Sequence, residues 1–208
     1  MSLVLVISDF QIESGNANRF VSRGGLKLEG AIKKINLNVK NFSALDVGIS
    51  TGGFADCLLQ SGIRDLVGVD VGTKQIHPQI AKQKNVQYFE NTHIKDFKTD
   101  KKFDLAVVDV SFISLAQVLP YVFPFLNDNG LLLALVKPQF ELDAKKLGKN
   151  GIVKDYTQFE IIENSMKNLV QDIGLTVLDY FESPILGKDG NKEFFIYASK
   201  NSRNPTTD

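Results

Sequence analysis

The sequence is poor in cysteine and histidine and has no surplus of charge, and each shortage removes a class of function. Cys57 is the sole cysteine among 208 residues, and there are two histidines. No disulfide can close within the chain and no thiolate cluster can hold a metal, so a reducing compartment, the cytoplasm, is the expected setting. Lysine plus arginine number 24 and aspartate plus glutamate also 24, so the overall charge does not advertise a nucleic-acid partner. Any basic surface has to be local. No apolar run reaches membrane-spanning length. The opening Met1–Ile7 run lacks a basic flank and is soon followed by Asp9 and Glu13, unlike a secretory leader. What remains, 43% hydrophobic and 23% charged, is the composition of a soluble globular protein with room for one well-buried α/β domain.

Residues 1 to about 20 end in a polar, turn-forming stretch, Glu13 to Asn18, that reads as a linker. From Ser22, an N-cap candidate, Leu28, Ala31, Ile32 and Ile35 fall at helical spacing, giving an amphipathic helix to about Lys34. Short apolar runs then alternate with longer amphipathic ones, the pattern of a parallel sheet with crossover helices. The expected strands are 44–47, 66–70, 86–89, 105–108, 131–136, 176–181 and 194–197, with helices over 53–60, 75–83, 115–125 and 157–173. The segment from Pro184 to Asn191 is too short for a helical crossover, so the last strand should run antiparallel. The fold class expected is a doubly wound, Rossmann-like α/β domain over 21–200, with a mostly parallel seven-stranded sheet, and residues 201–208 as a frayed tail.

Asp46 and Val47 run directly into Gly48-Ile49-Ser50-Thr51-Gly52-Gly53-Phe54, a buried strand followed by a glycine-rich turn and a helix start. Such a turn lets a ligand approach the backbone at the carboxyl end of a strand. Alone it could equally be a tight βα turn. One βα unit later Asp70 ends a second strand, where a carboxylate accepts hydrogen bonds from a ribose diol. The G-x-G-x-x-G of a dinucleotide cradle is absent. The negative charge of Asp46 beside the turn is awkward for a diphosphate and suits the cationic amino-acid end of S-adenosylmethionine. Asn91, ending the third strand, is placed where a polar group can face adenine, and His93 reads as a solvated loop residue.

Asp109 follows the strand expected beside the Asp46 strand, and Lys137 ends another buried strand. Charges there are costly unless paired, so an Asp109–Lys137 ion pair with a purely structural role is the plain alternative to a catalytic one. By spacing alone, Lys27 reads as a surface helix lysine and Glu193 as an exposed hairpin carboxylate.

The stretches Ser22 to Leu28, Asp46 to Phe54, Asp109 to Ser114, Lys137 to Glu141 and Gly190 to Phe194, taken in order, resemble the TlyA (hemolysin A) family of FtsJ-like ribosomal RNA 2′-O-methyltransferases, over about Phe20 to Tyr197. The resemblance implies a methyltransferase that uses S-adenosylmethionine and acts on ribosomal RNA or a ribosomal subunit, with no metal. It implies a catalytic tetrad of Lys27, Asp109, Lys137 and Glu193. Asp46, Gly48, Ser50, Thr51, Gly52, Gly53, Phe54, Asp70, Asn91 and Asp109 are the expected cofactor contacts. A ribose hydroxyl is a poor nucleophile, so transfer needs proton removal and in-line alignment. Lys137 is then the base: the Lys27 ammonium and partial burial favour its neutral amine, and Asp109 and Glu193 orient both amines.

Members of that family usually carry an N-terminal S4-type RNA-binding domain, and residues 1 to about 20 resemble at most its final strand and linker. Arg19, Arg23, Lys33 and Lys34, with Lys145, Lys146, Lys149 and Lys154, are expected to form two margins of an RNA-binding face. Two other readings remain. The name hemolysin raises a membrane-active protein without catalysis, for which the sequence has no spanning or strongly basic amphipathic segment. A non-catalytic S-adenosylmethionine-binding module is the other.

Overall fold

A computed structural model describes residues 19–148, 151–153, 155–187 and 190–200. The expected linker up to Asn18, the tail from Asn201, and Lys149 and Lys154 lie outside them.

The apolar runs form one seven-stranded sheet of order β3-β2-β1-β4-β5-β7-β6. Its strands are β1 (Ser43–Val47), β2 (Asp65–Val69), β3 (Val86–Phe89), β4 (Phe103–Val108), β5 (Leu126–Val136), β6 (Thr176–Glu182) and β7 (Phe194–Ser199). The first five pair in parallel, whereas β7 is antiparallel to both neighbours. With β1 and β4 adjacent and their connections leaving in opposite directions, the crevice at their carboxyl ends is where such sheets take ligands.

Strand side chains alternate between two cores. Leu105, Val107, Leu131, Leu133, Leu135, Phe195 and Tyr197 face one side, where they meet α1 (Arg23–Lys34) and α2 (Gly53–Gln60) through Leu28, Ala31, Phe54 and Leu58. Ala106, Val108, Leu132, Ala134 and Ile196 face the other, against α4 (Leu119–Val122) and α6 (Thr157–Asp172). Each fully buried leucine or phenylalanine contributes roughly 2 kcal/mol of transfer free energy. The same alternation carries beyond the strand ends. Asp109, Lys137 and Glu193 lie an even number of residues from Val107, Leu135 and Phe195, which sets all three on the α1 side. Because β7 runs antiparallel, its start pairs with the end of β5 (Val136 with Phe194), and Glu193 arrives beside Lys137.

Two expected helices differ. In place of 75–83 there is only α3 (Pro78–Ala81), since the residue before a proline is pushed out of the helical region and His77 becomes the cap, its Nδ1 accepting the Gln79 amide. The run 115–125 divides into two 3-10 turns around α4, broken at Pro120 and Pro124. β5 starts five residues before the expected Leu131, taking in the turn-like Asn127 to Gly130. Among the described residues no helix is long and apolar enough to cross a membrane, and no group of histidine, cysteine and acidic residues could hold a metal.

Candidate active site

The turn after β1 is shaped by its backbone. Gly48 has φ +86°, and a Cβ there would lie 2.3 Å from the Asp109 carbonyl oxygen, so only glycine lets the turn pass this close to the end of β4. Ser50 is left-handed at φ +47°, and its amide donates to Asp70 Oδ2 at 2.7 Å. The other oxygen of Asp70 accepts the Gly72 amide at 2.6 Å. This carboxylate therefore ties two loops together, and its remaining lone pairs are what a ribose diol could use. The loop beyond is fastened by Glu90, which accepts the Gln75 amide at 3.0 Å. That amide, with those of Lys74 and Ile76, holds the Glu90 carboxyl below the usual range. Gln75 is linked in turn to Ser50 Oγ.

These loops surround a cavity of about 540 Å³ lined by Gly48, Ser50, Asp70, Gln75, Thr92 and Asp109, among others. His93, half-buried in its loop, also lines it. Asn91 does not: it is exposed, left-handed, and spends its amide on the Gly72 carbonyl. Asp46 lies behind this wall, fully buried, and neither of its oxygens has a hydrogen-bond partner. Burial, then the charges of Asp109 and Asp70, push its carboxyl well above the usual range; the Ala55 amide offsets a part without reaching hydrogen-bond geometry. Asp70 and Asp109 thus present their carboxylates to the cavity, and Asp46 lies behind them with its charged form disfavoured by burial.

A second, smaller cavity of about 160 Å³ shares Gly48, Ser50, Asp109 and Ser111 with the first. Ser22, Lys27, Thr51, Gly53, Phe54 and Lys137 complete much of its lining. Gly52 stands behind it as the left-handed N-cap of α2. Neither Lys27 nor Glu193 is the surface residue that spacing indicates: both are buried, and Lys27 Nζ donates to Glu193 Oε2 at 2.5 Å. Lys137 Nζ lies 2.6 Å from Asp109 Oδ1 and donates to Ser111 Oγ at 2.9 Å. The Asp109–Lys137 pair is thus real, and it stands in a cavity wall rather than sealed in the core. Two lysines, each with its own carboxylate, face one small polar space.

Three residues that the sequence reasoning passed over shape this site. Glu141, at the end of α5 (Pro138–Glu141), accepts the Ser114 hydroxyl at 2.5 Å and the Leu115 amide at 2.9 Å, clamping the loop that carries Ser111. Burial raises its carboxyl above the usual range against those two bonds. Asn191 accepts the Val153 amide and donates to the Gly151 carbonyl, fastening that segment beside Glu193. Phe112 is 91% exposed, left-handed at φ +64°, and stands on the rim of the larger cavity against Phe140. All three sit in stretches whose resemblance was noted, but only exposure and bonding distinguish them from their neighbours.

The FtsJ-like methyltransferase family model matches residues 20–200. The candidate rRNA methyltransferase YqxC of Bacillus subtilis is 39% identical over 88% of this chain, which spans 66% of that relative's length. The 23S rRNA (cytidine-2′-O)-methyltransferase TlyA of Campylobacter jejuni is 35% identical, covering 88% of this chain and 72% of its own. A crystal structure of a candidate hemolysin from Lactococcus lactis superposes with a TM-score of 0.85 at 36% identity, over 89% of this chain and 91% of that one. The chain therefore belongs to the FtsJ-like methyltransferase family, in the branch that includes TlyA.

Proposed function

We propose that this protein transfers a methyl group from S-adenosylmethionine to a ribose 2′-hydroxyl of ribosomal RNA, acting in the cytoplasm on the RNA or on a ribosomal subunit. The observation that carries the reading is the pair of lysines, Lys27 and Lys137, each held by a carboxylate in one small cavity that opens on the same Gly48 to Ser50 wall as the larger one. The name of the Campylobacter relative specifies the same chemistry for that protein.

The residues present fit the methyl donor. Asp70 and Asp109, which line the larger cavity, favour a ligand that is cationic at its amino-acid end. When bound, the donor supplies an electrophilic methyl group on a sulfonium. Lys137 Nζ removes the proton of the hydroxyl as that oxygen takes the methyl, and the bonding pair is left on sulfur. The Lys27 ammonium, fixed by Glu193, steadies the negative charge that develops on the oxygen. Asp109 connects the two steps, lining both cavities and pairing with Lys137.

The test is incubation with labelled S-adenosylmethionine and either ribosomal subunits or bare ribosomal RNA, followed by nucleoside digestion. Label in a 2′-O-methylnucleoside is expected; label on a base or on protein overturns the reading. Lys137→Ala should lower the rate at least about 100-fold while cofactor binding persists.

A further inference from the structure

The two contacts of Lys137 differ in kind. Its Nζ lies 2.6 Å from Asp109 Oδ1, yet that oxygen accepts no hydrogen bond. The Ser111 hydroxyl, at 2.9 Å, does accept one from Nζ. Asp109 therefore attracts by charge, without direction, whereas Ser111 constrains direction.

Deprotonation separates them further. A base must be a neutral amine when it acts, and the charge attraction of Asp109 disappears with the ammonium. A neutral amine keeps two N–H donors and one lone pair. The N–H donated to Ser111 survives that change, and the lone pair then lies at a tetrahedral angle from it. Ser111 is suited to this task by its surroundings: it lines both cavities, and Glu141 clamps the loop three residues further on.

We infer that Ser111 is a positioning residue for methyl transfer, its hydroxyl oxygen holding the Lys137 amine so that the lone pair faces the small cavity. The inference rests on the ribose methyltransferase reading. It assigns to Ser111 the contact with hydrogen-bond geometry, which persists when the ammonium, and with it most of the attraction of Asp109, is gone.

The charged groups facing Lys137 are Asp109 after β4, Lys27 from α1 and, through Lys27, Glu193 before β7. Replacing Ser111 leaves those charges in place and removes one acceptor of the ammonium. Single-turnover methyl transfer should be measured across pH for the wild type, Ser111→Ala and Ser111→Thr, with S-adenosylmethionine affinity and thermal midpoint alongside. Ser111→Ala is expected to lower the plateau rate roughly 10- to 100-fold. Its acid limb should move to lower pH by up to about one unit, with affinity and midpoint unchanged. Ser111→Thr, which keeps the acceptor, should recover most of the loss. A Ser111→Ala plateau equal to the wild type overturns the inference, as do two equally slow variants whose cofactor affinity or midpoint has fallen. A wild type that labels ribose keeps the underlying reading whichever way Ser111 falls; one that labels no ribose overturns both.

Discussion

A buried carboxylate without a hydrogen bond is costly, and Asp46 is one. Its carboxyl is pushed well above the usual range, by burial first. At pH below the ordinary carboxyl range both folded and unfolded chains hold this proton. As pH rises, the unfolded chain releases it first, so stability falls until the raised folded value is passed. Asp46→Asn should therefore unfold later than the wild type at neutral pH, by on the order of 1 kcal/mol, with the difference closing near pH 4. The same change should leave S-adenosylmethionine affinity near wild type, since Asp46 lines neither cavity. Thermal unfolding at the two pH values and calorimetric titration check both. The acidity of this turn was legible in the sequence, because Asp46 stands two residues before Gly48. The pairing of Lys27 with Glu193 was legible only through the resemblance: by spacing, a helix lysine and a hairpin glutamate look exposed until a fold buries them against each other.

At the scale of elements, the strands were readable because apolar runs bounded by polar residues allow little else. The pieces that failed lie where local chemistry overrides period. Between Gly72 and His77 the backbone is committed to Asp70, Glu90 and Thr51, and prolines at 120 and 124 cut a seemingly continuous helix. The loop before β7 shows the same local control. A Cβ on Gly187 would lie 2.5 Å from Glu193 Oε1, so a side chain there would have to displace that carboxylate. Gly187→Ala should push Glu193 away from Lys27 and slow methyl transfer about 10-fold or more. Cofactor affinity, governed by the loops after β1 and β2, should stay near wild type; rate and titration together check this.

Across the whole molecule the charges cancel, and on the proposed function RNA affinity has to come from where they are left free. Four of the expected basic residues have partners within the chain: Arg19 and Lys33 share Glu29, Arg23 donates to the Leu186 carbonyl, and Lys34 lies over the Phe181 ring. Lys145 and Lys146 are exposed in the 3-10 turn that follows α5. Replacing both by glutamate should weaken RNA binding and flatten its dependence on log salt concentration by about 2, without altering S-adenosylmethionine affinity. Filter binding over a salt series reads both quantities.

The buried Lys27–Glu193 contact joins residues 166 positions apart. A growing chain completes the cofactor loop and Lys27 early in synthesis and receives Glu193 only when its last strand emerges. Lys27 therefore gains its buried carboxylate only when β7 pairs with β5, and on the proposed function this ion pair is the last part of the site to be completed.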